Sequence, residues 1–440
     1  MKKALVFFRL ICACCLISNT AYSQSWQSLG TGVNFSVYAL EVDTIRDELY
    51  VGGWFTNAGG IPTNGIAKWD GTNWHSLNGG VNFGGSVHTI FYFNNEIYVG
   101  GRFDSIGGIA AKNIAKWDRT SWHTIGDGFN NTVKSICSYN TEIYAGGNFD
   151  SSGSQSMSHI ARWDGSVWQN LNSGLNGPVY SMITFDNSLV IGGDFNNADT
   201  LNSLGRVVKW NGSIWSRIGI GFNQYVRNFS IYKGDLYVCG DFYNTTIPYM
   251  RYISRWDGSA WQALTYPGVA GSLSPGISDI IEYNGELHIT GDFTTPRYVA
   301  KYNGSVLDSL EDGLSWAGSC FEIFKGDLIV GGSFSYAGMQ VPHTNSLAKW
   351  VLSTDLQEQE NVKQHIQIIV GSNKLKIILP NSWNSYLNYV EMFDCRGILI
   401  DQFLLNDNFE TDISNIASGM YICRISQKDG VTLTGKFLFF

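Results

Sequence analysis

Three aspartates, Asp194, Asp241 and Asp292, stand at one slot of a recurring phrase, Gly-Gly-x-Phe and its near relatives. Carboxylates that converged from such a slot could attract a Ca²⁺ ion. The same slot holds Trp54, Arg102, Asn148 and Ser333 in the other copies. It varies while its neighbours repeat, so the fold does not dictate it, and it is a candidate ligand position. Solvated surface acids are the plainer reading of the aspartates. A second series falls in the phrase Gly-apolar-Asn: Asn34, Asn82, Asn130, Asn176 and Asn223, with Ala270 and Ser315 in the last two copies. A ring of amides could bind a ligand. The commoner job of such an Asn is to bond nearby backbone and to shape a turn. Connecting-loop aromatics (Phe83, Phe129, Phe222, Tyr225 and Trp316) offer faces on which a sugar could stack, or else anchor the loops.

Chemistry beyond binding finds no foothold. The chain has no Gly-x-Ser-x-Gly elbow, no His-Glu-x-x-His and no glycine-rich phosphate loop leading into a helix. With 37 acidic residues, any one carboxylate pair is uninformative. No catalytic residue and no metal set are assigned, and apart from the Ca²⁺ option no cofactor is expected.

The elements that must position these residues are written in a repeat. Gly-Gly-x-Phe phrases end at Phe55, Phe103, Phe149, Phe195, Phe242, Phe293 and Phe334, spaced 48, 46, 46, 47, 51 and 41 residues apart. A period in this range marks units that cannot bury their apolar faces alone. One unit reads as four short strands: Ser36-Val37-Tyr38-Ala39-Leu40-Glu41-Val42, Glu48-Leu49-Tyr50-Val51-Gly52-Gly53, Gly65-Ile66-Ala67-Lys68-Trp69-Asp70 and Trp74-His75-Ser76-Leu77. Asp-Gly or Asn-Gly recurs at the last turn, as tight hairpins with positive φ prefer. Four antiparallel strands per period make a propeller blade. Tryptophan pairs five apart (Trp69/Trp74, Trp117/Trp122, Trp163/Trp168, Trp210/Trp215, Trp256/Trp261) recur too strictly for a ligand platform and read as core between blades.

The seventh unit stops after Leu347-Ala348-Lys349-Trp350, one strand short. The missing phrase, Trp26-Gln27-Ser28-Leu29-Gly30, stands at the other end of the chain. It is expected to complete the last blade and close a seven-bladed ring, which removes exposed strand edges. In such a ring the turns between strands one and two, and three and four, share a face and are short. Loops between strands two and three share the other face with the crossings to the next blade; they are long and uneven, and ligands are expected there.

Gly-Gly ending the second strand, an aromatic-Asp in the third and Trp opening the fourth resemble kelch repeats, as a variant, over residues 26–350. That resemblance implies four-stranded blades with binding on the loops. Some kelch proteins are oxidases that hold copper with two Tyr and two His. Here His75, His88, His123, His159, His288, His343 and His365 are scattered, so the fold carries over and the metal does not.

The two ends read differently. Lys2 and Lys3, the apolar residues 4–17 and Ala21-Tyr22-Ser23 form a signal peptide over residues 1–23. Lipidation at Cys14 is a minor alternative. No later stretch reaches the roughly 18 apolar residues of a membrane helix. Net charge of −8 without a basic stripe argues against nucleic acid. After a polar linker at 351–363, residues 364–440 change strand pattern and read as a small β-sandwich in which Cys395 and Cys423 could pair; Cys137, Cys239 and Cys320 read as buried free thiols. The phrases Val390-Glu391-Met392-Phe393-Asp394-Cys395-Arg396-Gly397, Gly419-Met420-Tyr421-Ile422 and Gly435-Lys436-Phe437-Leu438-Phe439 resemble the type A C-terminal sorting domain of the type IX secretion system. That resemblance implies a Bacteroidetes-type source, the type IX machinery as partner, and a chain released or anchored at the outer surface.

The chain is thus read as all-β: a signal peptide, a seven-bladed β-propeller over 24–350 and a sorting sandwich. A monomer that binds a glycan or a protein through the long-loop face is the first functional reading. An extracellular carbohydrate-active oxidase or lyase using the propeller mouth comes second and predicts converging acids there. A structural surface-layer component comes third and predicts a channel blocked by apolar residues.

Overall fold

The Gly-Gly pair is where blade meets blade. A side chain on the first glycine would press into the next blade: a Cβ at Gly52 or at Gly100 would come within 2.6 Å of Val87 or Val133. A side chain on the second would collide with the innermost strand of its own blade, at Ser36 O for Gly53 and Ser86 O for Gly101. In five blades both positions need hydrogen in place of Cβ, and repetition of that need writes the motif; Cys239 and Thr290 take the first position in the other two.

The computed structural model describes residues 22–243, 251–264, 276–294, 296–339 and 341–354, together with seven strands between 367 and 439. The chain divides into two compact units, residues 1–355 and 356–440. Residues 1–21, Cys14 among them, lie outside the described residues, as do Ala270 and Cys395.

In the first unit, seven four-stranded antiparallel sheets form a seven-bladed β-propeller. The first blade runs, from the axis outward, Val37–Asp43, Glu48–Gly53, Ile66–Trp69 and Trp74–Ser76. The last blade takes Gly318–Phe324, Asp327–Gly332 and Leu347–Thr354 from the end of the unit and its outermost strand, Tyr22–Gln27, from the start. Trp26 faces Trp350 in that register. The ring is closed as the sequence implied, with one correction: the closing strand is Tyr22–Gln27 and not 26–30. Gly30 takes φ +58° and Gly32 N–H bonds Leu29 O at 3.0 Å, so the chain already turns there. The partner strand meanwhile runs on to Thr354, into the stretch read as linker.

Between blades the tryptophans act as expected, and more. Trp69 and Trp74 are cross-strand partners with ring centroids 5.2 Å apart. The indole N–H of the outermost strand also reaches back a blade: Trp74 to Leu29 O, Trp122 to Leu77 O, Trp168 to Ile125 O and Trp261 to Ile218 O, at 2.9 to 3.0 Å. Trp26 makes the same tie to Leu310 O at 3.4 Å, so the closing strand is bonded into the ring as any other. Each such buried bond contributes about 1 kcal/mol, beyond the apolar area the rings remove from water. On the opposite face Arg119 takes φ +81° where the other hairpin turns place glycine, and its guanidinium bonds the buried Asp43 of the neighbouring blade.

The second unit has a three-stranded antiparallel sheet, with Gln367–Val370, Lys374–Ile378 and Glu410–Asp412, and a four-stranded one, with Leu399–Leu404, Tyr389–Asp394, Gly419–Ser426 and Thr432–Phe439.

One junction inverts the usual sizes. Thr290 replaces the first glycine in the sixth blade, and Gly318 stands in the seventh where other blades offer Val or Ile; a Cβ at Gly318 would collide with Thr290 Oγ1. Gly318→Val alone should cost about 1–3 kcal/mol by overpacking. Combined with Thr290→Gly, it should recover most of that loss in a double-mutant cycle read by denaturant unfolding. Additive losses would contradict this packing.

Candidate binding site at the channel mouth

A β-bulge recurs near the start of the innermost strand: between Val37 and Ala39, Val133 and Ser135, Val226 and Asn228, and at the equivalent place in every other blade. Bulges re-aim side chains. Here the re-aimed residue follows a core position that is Val or Ile in six repeats and Gly318 in the seventh, and the seven are Tyr38, His88, Lys134, Tyr180, Arg227, Ser278 and Ser319. All seven line a central cavity of about 600 Å³ bordered by the innermost strands of all seven blades. Above it, Tyr38, Lys134, Tyr180, Arg227, Ser278 and Ser319 join Asn148 and Tyr225 around a mouth of about 440 Å³. Asn148 and Tyr225 belong to the end where the long loops start, so the mouth opens on the long-loop face.

The mouth has an electrostatic sidedness. Tyr38 and His88 stack at 5.1 Å with planes 10° apart, and Lys134 Nζ lies 3.3 Å from His88 Nδ1. Burial, with Lys134 and Arg102 adding, pushes His88 down to about 3, so its ring is neutral at ordinary pH. An ammonium can only donate, which makes Nδ1 the acceptor and leaves the Nε2 proton for Ser86 Oγ at 3.0 Å. Lys134 is itself lowered, by burial first and then by Arg227. Arg227 is clamped by both oxygens of Asp241, at 2.9 and 2.7 Å. Neither Lys134 nor Arg102 has a carboxylate partner among the described residues. The side formed by blades 2 and 3 is therefore cationic and uncompensated.

Under the mouth the channel wall is cross-braced by polar groups. Ser181 Oγ donates to Asn228 Oδ1 at 2.6 Å, Asn228 Nδ2 donates to Asp279 Oδ1, and Asp279 accepts Phe321 N–H and Ile280 N–H at 2.6 and 2.7 Å. This chain crosses four blades. Burial nevertheless raises Asp279 to about 7. Glu322 is raised to about 7 by burial, with Asp279 adding, and Glu41 stands well above the carboxylate range from burial and from Glu322. The channel is polar and not blocked by apolar side chains.

The residues singled out in the sequence separate into distinct jobs. Asn34, Asn82, Asn130 and Asn176 each accept two backbone N–H bonds from the strand-two-to-three loop of the blade they lead into, as Asn34 Oδ1 does from Thr56 and Asn57 at 3.0 Å. Asn223 bonds Tyr243 N–H likewise, and Ser315 Oγ does the same in the last blade. They clasp a neighbouring loop, where the sequence pointed to their own backbone. Of the aspartates, Asp194 lies 3.5 Å from Arg206 and Asp241 holds Arg227, while Asp292 is exposed. Among the described residues no three His, Cys, Asp or Glu side chains gather as a metal site.

The loop aromatics divide. Phe129 stacks on Phe149 at 3.9 Å and Phe222 packs tilted against Phe242 at 4.1 Å, both buried, so these two are core. Phe83 is 92 % exposed and Trp316 55 %. Phe35 and Trp54, half open to solvent and 5.5 Å apart, join Phe83 around an apolar pocket of about 270 Å³. Next to it Arg102, Asn130 and Asn148 line a polar trough of about 660 Å³. Sequence reading missed the bulge ring, although the variation test it applied to the Gly-Gly-x-Phe slot picks out the residue after the repeated Val just as sharply.

Comparison with known proteins agrees on the fold. A family model described as the Rax2 C-terminal beta propeller domain matches residues 111–280. The crystal structure of the extracellular domain of a putative hybrid two-component system from B. thetaiotaomicron is similar at 12% identity and TM-score 0.50, over 95% of this chain and 58% of that one. The extracellular domain of a putative one-component system from the same organism gives 12% identity and TM-score 0.49, over 95% and 57%. This chain thus spans less than two thirds of either. No curated protein matches. The family match agrees with the β-propeller of the structure and leaves ligand and activity open.

The channel acids set a pH dependence. Glu322 holds its proton in the fold up to about pH 7, whereas the unfolded chain releases it near the ordinary value of 4.5. The stability it contributes is therefore complete below about pH 4 and is lost as pH rises through 7. Glu322→Gln should match the parent near pH 4 and exceed it by about 1–2 kcal/mol at pH 8. Equal differences at both pH values, measured by denaturant unfolding, would refute the assignment.

Proposed function

We propose that the chain is an exported or cell-surface binding protein that holds a glycan or protein ligand on the long-loop face of its propeller. One observation carries this reading. At the bulge the repeat keeps Val37, Val87, Val133, Val179 and Val226 but varies the very next residue, from Tyr38 and His88 through Lys134 and Arg227 to Ser278 and Ser319. Those variable side chains surround the central cavity, and all but His88 also line its open mouth. Positions released from packing and gathered on one cavity are where a rigid scaffold places recognition.

Export is supported by the signal-peptide pattern at residues 1–23, and the kelch-like phrases agree with loop-borne binding. Resemblance of residues 364–440 to a type IX sorting domain supports release or anchoring through that machinery, in a Bacteroidetes-type cell. The similar extracellular domain of the hybrid two-component system from B. thetaiotaomicron fits an extracellular post without assigning one. A monomer is proposed, since closure within one chain completes the last blade without a second copy. Calcium is not carried forward, because Asp194 and Asp241 are each engaged by an arginine.

The enzyme reading keeps one observation, the mutually interacting Glu41 and Glu322 with Glu322 near 7. They sit below the mouth and not at it. A glycan array and a pull-down from culture supernatant, run with the full chain and with Ser278→Trp/Ser319→Trp, separate the readings. The plugged variant should lose its ligand while melting as the parent does. Binding indifferent to the plug, or polysaccharide turnover abolished by Glu322→Gln, would overturn the proposal.

A further inference from the structure

The mouth, the trough and the aromatic pocket adjoin one another in series. Mouth and trough share Asn148; trough and pocket share residues 82–85. The series starts at the cationic side of the mouth, passes Arg102, Asn130 and Asn131, and ends between Phe83, Trp54 and Phe35. Its chemistry changes along its length, from uncompensated cation through amide to bare aromatic ring.

The geometry points to an acidic oligosaccharide as the occupant, its carboxylate or sulfate group held at Lys134 and Arg102 and its next sugars carried outward to stack on Phe83 and Trp54. This rests on the reading of the long-loop face as a binding surface and goes further, to the class of ligand. Four observations support it. Lys134 and Arg102 lack carboxylate partners among the described residues, and both act on His88, in a chain whose net charge is −8. Burial and the Arg227 charge depress Lys134, and an arriving anion relieves that strain. The acids beneath the mouth, Asp279 and Glu322, keep their protons up to about pH 7, and Asp241 is neutralised by Arg227, which leaves Asp104 as the acid among the trough's lining residues.

The fourth observation separates a sugar from a peptide. Residues 82–85, which line both trough and pocket, belong to a crossing loop and not to a strand, so a peptide finds no strand to extend at that stretch. Recognition falls to side chains alone: flat rings, 92 % exposed at Phe83, beside amides. A pyranose offers an apolar face to such rings and hydroxyls to the amides.

Calorimetric titration of the full chain tests this with oligogalacturonate, a heparin-derived oligosaccharide, a cello-oligosaccharide and polyglutamate. Oligogalacturonate or the heparin fragment should bind at least roughly tenfold tighter than the neutral chain, and which of the two wins tells carboxylate from sulfate. Lys134→Met should remove roughly that factor and flatten the salt dependence. Phe83→Ala should weaken the oligosaccharide yet leave galacturonate monosaccharide unchanged. Equal affinity for the neutral oligosaccharide, tighter binding of polyglutamate, or indifference to both substitutions overturns the inference. A neutral glycan lost on plugging the mouth would sink only this inference, whereas a ligand indifferent to the plug sinks the binding face itself.

Discussion

The structure depends on a pairing between residues more than 320 positions apart in the chain, in which Trp26 meets Trp350 and the six residues Tyr22–Gln27 zip onto the strand that ends the ring. Without that pairing the seventh blade has three strands and the array two open ends. With it, the closing strand is tied like those of blades one, two, three and five: Trp26 buries its ring and donates to Leu310 O as Trp74 donates to Leu29 O. Loop closure over so long a span costs only slowly growing entropy, while the ladder and the buried indole stabilise it locally. The mouth inherits its geometry from this closure, because Ser319 of the last blade and Tyr38 of the first are neighbours only when the ring is shut.

Within the ring, identity and variation are divided by depth. Gly53 and its counterparts repeat because a Cβ there would strike the innermost strand, and Val87 and its counterparts repeat because they fill the space above the preceding blade's glycine. The bulge that this close approach imposes turns the next residue into the channel, where nothing in the packing specifies it. The same local device that holds blades together therefore sets a free residue from each blade around the axis. Asn34, Asn82, Asn130 and Asn176 extend this logic to the face, tying the long loops to the crossings so that exposed rings such as Phe83 sit on a fixed platform.

Blade number, strand count and closure were legible because each rests on a repeated steric demand. The site was legible only in part. Arg102 and the Asn series were singled out correctly as residents of the long-loop face, but hydrogen-bond direction is not written in a sequence, so the amides read as self-bonding when they clasp the next loop. Phe129 and Phe222 looked like Phe83, since exposure depends on whether a partner such as Phe149 or Phe242 stands across the loop. Lys134 and Arg227 went unnoticed because alternation assigns one side per residue, and a bulge breaks that count at the one position that matters.

Closure is tested most directly by removing residues 22–27 and following thermal unfolding together with amide exchange in Leu347–Thr354. The account predicts a lower melting temperature and loss of exchange protection along that strand, since its outer partner is gone. A shortened chain that melts with the parent and keeps those amides protected would contradict it.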